Sequence, residues 1–351
     1  MPLKIGSFVA GLALAFAVSG AASAAPCDAA IAYSTARKGV ELLVLKNGQP
    51  VCEHYANGGA PDKGYEIWSG TKSFTGIIAA AAAQDGLLTL DEPVSRAITE
   101  WRSDPQKSKI TIRQLLSLTG GQAGPPGQAP TYSAAIAVPL AAEPGTKFQY
   151  GPTSFQVFGE IMKRKLAAAG MKPDVLAYLK TRILDPIGAR PTNWRLTVEG
   201  DPILPQGSVW NAREWARYGE FIRAGGKVGG RTLVDPATFA ELFKGSAVNP
   251  AYGVSWWLPR ATTAPDVVTA SLDLGSHEAE MPADLVIAAG AGNQRLYVIP
   301  SLGLTMVRLA DFDPAAIMAA RAARADGSAD PAMRWSDYAF LKLLMTDPAL
   351  N

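Results

Sequence analysis

The chain has 351 residues, 48% apolar and 18% charged, enough for one large or two ordinary core-forming domains. Its formal charge of +2, with Lys and Arg spread throughout, provides no basic stripe to track a phosphate backbone, which excludes nucleic acid as an expected partner. Two cysteines and two histidines, with neither HExxH nor paired CxxC, supply no metal-ligand set, and no cofactor is expected.

Residues 1–24 read as a secretory leader: Lys4 begins it, Ile5 to Val18 form its apolar stretch, and Ala22-Ser23-Ala24 its small-residue cleavage site. That stretch is shorter than the ~20 apolar residues of a spanning helix and contains Gly11. A mature chain starting near Ala25, no stable membrane insertion and a periplasmic or secreted location are therefore expected. Export would place Cys27 and Cys52 where a disulfide persists, tying the new N-terminus to an early strand and contributing about 3 kcal/mol.

Asn47-Gly48 between the apolar runs Val40–Leu45 and Val51–Tyr55 predicts a hairpin, because both residues tolerate positive φ. Ser69 to Gln84 follows as a helix with almost no polar face, hence buried, and Gly86 is placed to cap its end. A second helix is expected from Ile110 to Gly120, then a long loop over Gln122–Lys147, rich in Pro, Gly and Ala. Helical patterns resume at Ser154–Ala169, Val175–Arg182 and Ala212–Ala224.

Strands are expected at Tyr252–Leu258, Leu285–Ala289, Gln294–Val298 and Leu304–Leu309, the last three paired antiparallel through short connections. A final helix, Trp335–Met345, presents Tyr338, Leu341 and Leu344 on one face. The fold class is thus α+β: an antiparallel sheet built from both chain ends and flanked by helices, with a mostly helical inserted subdomain. The sheet part is assigned to about 25–100 and 205–351, the insertion to about 101–204.

Ser69-Gly70-Thr71-Lys72 is the one SxxK of the chain, and residues three apart on a helix share a face, so hydroxyl and amine can meet. The lysine becomes a base only if its pKa falls well below ~10.4, which burial achieves. Alone the pattern is common by chance, and Ser69 as a plain N-cap is the simpler account.

Its surroundings change that balance. Ser69-Gly70-Thr71-Lys72-Ser73-Phe74, Asp85-Gly86-Leu87-Leu88-Thr89-Leu90-Asp91, Ile110-Thr111-Ile112-Arg113-Gln114-Leu115-Leu116-Ser117-Leu118-Thr119-Gly120-Gly121 and Pro144-Gly145-Thr146-Lys147-Phe148-Gln149-Tyr150 together resemble the class C β-lactamase-like serine hydrolases. Leu184-Asp185-Pro186-Ile187-Gly188 and Tyr252-Gly253-Val254-Ser255-Trp256-Trp257 fit the same group, which includes β-lactamases, DD-peptidases, esterases and hydrolases of short amide oligomers. The resemblance implies a β-lactamase/transpeptidase-like fold, with Ser69 as nucleophile, Lys72 as its proton partner and Tyr150 as base or relay.

Two departures from the family pattern bear on substrate. The second motif, usually Tyr-x-Asn, reads Tyr150-Gly151-Pro152, and the third, usually Lys-Thr-Gly or His-x-Gly, reads Ala288-Ala289-Gly290. The amide and the cation that hold a β-lactam's acylamide and carboxylate are absent. Gly290 still lets the strand approach closely, and the amides of Ser69 and Ala291 can form an oxyanion hole. Gly290, Gly292 and Trp68 are assigned to the substrate pocket, with Trp256 and Trp257 as core.

The expectation is an exported serine hydrolase acting through a Ser69 acyl-enzyme on a small ester or neutral amide. A β-lactamase or DD-peptidase, a sensor acylated without turnover, and a degenerate scaffold are the rivals. His277, in a loop and without a GxSxG elbow, is a weak candidate for a Ser-His dyad.

Overall fold

The computed structural model describes residues 25–125, 127–264, 272–313, 315 and 334–350; the leader reading falls on residues outside these. In chain order the structure runs α1 (Asp28–Ala36), the strands β1 (Gly39–Lys46) and β2 (Gln49–Tyr55), a short β3 (Tyr65–Glu66), a 3-10 turn over Trp68–Thr71 and α2 (Lys72–Gln84). The helices α3 (Ile112–Leu116), α4 (Tyr132–Ala137), α5 (Thr153–Ala168), α6 (Val175–Leu179) and α7 (Asp185–Ile187) follow, then β4 (Asn193–Trp194) and β5 (Ser208–Trp210). The remainder is α8 (Ala212–Arg223), β6 (Lys227–Val228), β7 (Arg231–Thr232), α9 (Pro236–Glu241), β8 (Val286–Gly290), β9 (Gln294–Ile299), β10 (Leu304–Ala310) and α10 (Asp337–Met345).

The principal sheet has the order β2-β1-β10-β9-β8, antiparallel at every pair, with Leu42 opposite Arg308 at the junction of the two chain ends. Every residue of β8, β9 and β10 is buried, so both faces are covered. Helix α8 packs on β1, β9 and β10, while α1 packs on β1 and on α10. Two-residue turn chemistry sets the first register: Asn47 (φ 51°) and Gly48 (φ 81°) join Lys46 to Gln49. Cys27 and Cys52 are bonded, linking the start of α1 to β2.

Helix α2 is buried from Lys72 through Ala82 and ends in a Schellman motif, with Gly86 at φ 73° and the Leu87 and Gly86 amides donating to the Ala82 and Ala83 carbonyls. Three expected elements differ. The helix at Ile110–Gly120 lasts only Ile112–Leu116, started by a Thr111/Gln114 capping box and stopped where Leu118 turns to φ 60°. The expected loop over Gln122–Lys147 contains α4, capped by Thr131 and anchored by the Tyr132 hydroxyl donating to the Pro202 carbonyl at 2.9 Å.

Tyr252–Leu258 does not form a strand. It folds back at Ser255 (φ 71°), so Tyr252 bridges Trp257, and only Trp257 reaches β8, exchanging 3.0 Å hydrogen bonds with Ile287. An apolar run buried on all sides looks the same in sequence whether it is extended or folded on itself.

Candidate active site

The turn that carries Ser69 is tied to Ser208 of β5 and to the start of α2. The Ile67 amide donates to the Ser208 carbonyl (3.2 Å), the Thr71 and Ser208 hydroxyls lie 2.9 Å apart, and the Ser73 hydroxyl donates to the Gly70 carbonyl (2.8 Å). Phe74 then fixes the start of α2 by stacking on Tyr218 (4.1 Å) and Trp210 (5.0 Å). These residues of the SGTKSF segment serve packing, and Ser69 and Lys72 are the two left to face each other. Trp68 sits at φ 48°, a left-handed conformation that costs a bulky residue about 1–2 kcal/mol. Its ring rests on Phe312 (4.5 Å), with the Arg195 guanidinium 5.4 Å away.

Lys72 donates to the Ser69 hydroxyl at 2.9 Å and to the Pro205 carbonyl at 3.0 Å. It is 3% exposed, has no carboxylate partner among the described residues, and burial lowers its pKa to about 7. A substantial neutral fraction therefore exists near neutral pH, poised to take the proton of Ser69.

The Tyr150 ring lies 4.9 Å from the Lys72 ammonium. Burial pushes its phenol up to about 12, opposed by the nearby Ser69 hydroxyl, the charge of Arg295 and Trp257. Among the described residues the buried hydroxyl meets no partner in full hydrogen-bond geometry, close as Ser69 is. A phenol so raised stays protonated at neutral pH, so it can donate or relay a proton. Phe148, Tyr252 and Trp257 surround it, with ring centroids 5.8 to 6.4 Å away.

Pro152 lies at the start of α5 without a side-chain donor. The loop from Gln122 to Pro130 is tied down instead by Thr153 on the Ala123 carbonyl (2.9 Å), Gln206 on that of Gly127 (2.8 Å) and Gln156 on that of Pro130 (2.7 Å). These glutamines and Pro205 carry no signature that sequence reasoning could read.

Gly290 ends β8 against the turn that carries Ser69. A Cβ there would stand 1.9 Å from the Ile67 carbonyl oxygen and 3.2 Å from the Gly70 amide nitrogen. Its close approach, expected toward a substrate, is thus made to the backbone around Ser69. Ala291 follows directly, and Gly292, at φ 72°, leans toward Phe312, where a Cβ would meet the ring at 2.6 Å. His277 is engaged elsewhere, stacked on Tyr338 at 3.6 Å and 3.2 Å from Glu280. Trp256 is core, packed between Tyr218 and Phe243. Among the described residues no group of three or more His, Cys, Asp or Glu could hold a metal ion, and no helix is long and apolar enough to cross a membrane.

Comparison with known proteins identifies the family and the fold. The family model described as Beta-lactamase matches residues 26–330. The protein flp of Staphylococcus aureus is 25% identical over 182 residues, 45% of this chain and 36% of its own length. The chain thus matches about a third of that curated relative. A putative beta-lactamase from Bacteroides dorei superposes with a TM-score of 0.67 at 19% identity, covering 88% of this chain and 93% of its own. EstCE1, a hydrolase with promiscuous acyltransferase activity, does so with a TM-score of 0.63 at 17% identity, covering 80% and 92%. At such identities the structural likeness establishes the fold.

Proposed function

The chain belongs to the beta-lactamase family of serine hydrolases, and from that premise we propose that it is an exported hydrolase cleaving small esters or neutral amides through an acyl-enzyme on Ser69. The observation that carries this reading is the 2.9 Å contact between Ser69 and a buried Lys72 whose pKa is lowered to about 7.

In the first step the Ser69 oxygen bonds to the substrate carbonyl carbon while its proton passes to the Lys72 amine. The amides of Ser69 and Ala291 bind the resulting oxyanion. Collapse breaks the bond to the leaving group, which takes a proton through Tyr150, and water repeats the sequence to release the acid. Trp68, beside Ser69, borders the space for the acyl group, while Gly290 and Gly292, assigned to that pocket by sequence, pack on the Ser69 turn and on Phe312.

The preference for esters or neutral amides rests on Pro152 and Ala288, which supply neither an amide nor a cation for an acylamide or a carboxylate. Export is supported by the Cys27–Cys52 bond, which persists in oxidising compartments. The test is a hydrolysis panel of short-chain nitrophenyl esters, a cephalosporin, a D-Ala-D-Ala peptide and a linear amide oligomer, run on wild type and Ser69→Ala. Ester or amide-oligomer turnover lost in Ser69→Ala is expected. Undiminished turnover in that variant would remove Ser69 as nucleophile, and preferential cephalosporin or peptide cleavage would overturn the substrate assignment.

A further inference from the structure

Resting on that reading, we propose that Arg295 is a positioning residue for the oxyanion hole, holding the Gly290–Ala291 peptide so that its N–H faces Ser69, and that Asp337 of α10 anchors Arg295. Arg295 and Asp337 are 1% and 0% exposed in their side chains, bonded through Nε–Oδ1 at 2.7 Å and Nη2–Oδ2 at 3.2 Å. The Tyr297 hydroxyl also donates to Asp337. From this anchor Arg295 Nη1 donates to the Gly290 carbonyl at 3.0 Å and to the Gln294 carbonyl at 3.1 Å.

The Gly290 carbonyl and the Ala291 amide are opposite ends of one planar trans unit, so fixing the carbonyl inward on Arg295 fixes the N–H in the opposite direction. That unit abuts the turn carrying Ser69, since even a Cβ on Gly290 would run into the Ile67 carbonyl and the Gly70 amide. A charge-assisted bond to the carbonyl also polarises the unit and makes its N–H a better donor. Arg295 stands opposite Ala289 in the ladder, its side chain on the sheet face away from Ala288 and the Ser69 turn, so it reaches the Gly290 carbonyl from behind the site and does not replace the motif's missing cation. Its charge reaches the Tyr150 phenol as well.

A purely structural role is a poor account of the pair, because apolar side chains commonly replace buried ion pairs without loss of stability. Arg308 provides the internal comparison. It too is fully buried and supports the same turn, through the Asn293 carbonyl at 2.8 Å and the Gly292 carbonyl at 3.5 Å, without touching the Gly290–Ala291 unit.

The test compares Arg295→Lys, the double variant Arg295→Met/Asp337→Asn, which removes both charges and preserves an acceptor for Tyr297, and Arg308→Lys. Turnover of a short-chain nitrophenyl ester, affinity for an alkyl boronic acid that places negative charge in the oxyanion hole, and the Ala291 amide proton shift by NMR are measured on each. Both Arg295 substitutions are expected to lower kcat roughly 10- to 100-fold, short of the ~100- to 1,000-fold loss of a whole donor, with KM little changed. Boronate affinity should weaken in parallel, and the Ala291 amide proton should move upfield. Arg308→Lys should show none of these effects at a comparable loss of thermal midpoint. An unmoved Ala291 amide, or equal kinetic losses in Arg308→Lys, overturns the proposal while leaving Ser69 untouched. Full turnover in Ser69→Ala overturns the reading beneath it, and the proposal falls with it.

Discussion

Lys72→Met is expected to end turnover and, at acid pH, to stabilise the fold. Lowering the amine from its usual 10.5 to about 7 corresponds to about 5 kcal/mol of unfavourable burial at pH 6, where folded and unfolded chains both carry the charge. Methionine removes that cost but leaves the Pro205 carbonyl without its 3.0 Å donor, a loss of about 1–3 kcal/mol. The net gain is about 2–4 kcal/mol, or about 3–6 °C in thermal midpoint for a chain of this size.

The sign with pH follows from the protons bound. Between about pH 7 and 10.5 the unfolded chain holds the Lys72 proton and the folded chain does not, so wild-type stability rises with pH. By pH 9 only about 2 kcal/mol of the penalty remains, and the advantage of methionine shrinks by about 3 kcal/mol to near zero. Urea unfolding of both proteins at pH 6 and pH 9 measures this difference with other groups cancelling. An advantage equal at the two pH values would show that the amine keeps its ordinary pKa, and would refute its assignment as the base.

The same titration should give ester hydrolysis an acid limb, kcat/KM rising through about pH 7, while a rate flat from pH 5.5 to 8.5 would argue against a neutral lysine. Tyr150→Phe removes a buried hydroxyl that lacks a well-formed hydrogen bond, so thermal unfolding should change by less than about 1 kcal/mol while kcat falls roughly 100-fold. Glu41 is raised by burial to about 7, so its unfolded form releases a proton first and stability falls from about pH 4.5 to 7. Glu41→Gln, still able to accept from the Ala212 amide, should remove that slope and add up to about 3 kcal/mol above pH 7 in urea titrations. Gly290→Ala drives a methyl into the Ile67 carbonyl and should cost more than about 3 kcal/mol together with most turnover, measured by thermal unfolding and ester assay.

The parts of this molecule legible in sequence are those where chemistry and periodicity agree locally. Asn47-Gly48 fixes a hairpin because both residues take positive φ readily, and α5 and α8 show their boundaries through helical spacing. Ser69 and Lys72 were recognisable by spacing only in the company of the later segments. Leu118, Trp68 and Ser255 adopt positive φ without a glycine or asparagine to announce it, which is why α3 is short and why Tyr252–Leu258 is not a strand. The support of the site was hidden for a different reason. In alternating strands an arginine reads as a solvent-facing residue, yet Arg295 and Arg308 both lie in the interior, where partners distant in sequence receive them. The disulfide partners, by contrast, needed only two cysteines and an expectation of export.

The pairing of Leu42 with Arg308 couples the first and last strands of the sheet and has a consequence for folding. Both β8, the strand that closes against the turn carrying Ser69, and β10, the strand that completes β1, lie far downstream of Ser69 in the chain. Contacts so distant along the chain close slowly, because loop entropy is lost before the sheet rewards it. Until those strands close, the turn that carries Ser69 lacks the strand it packs against. The contacts around Ser69 are therefore complete only once β8 and β10 have joined the sheet.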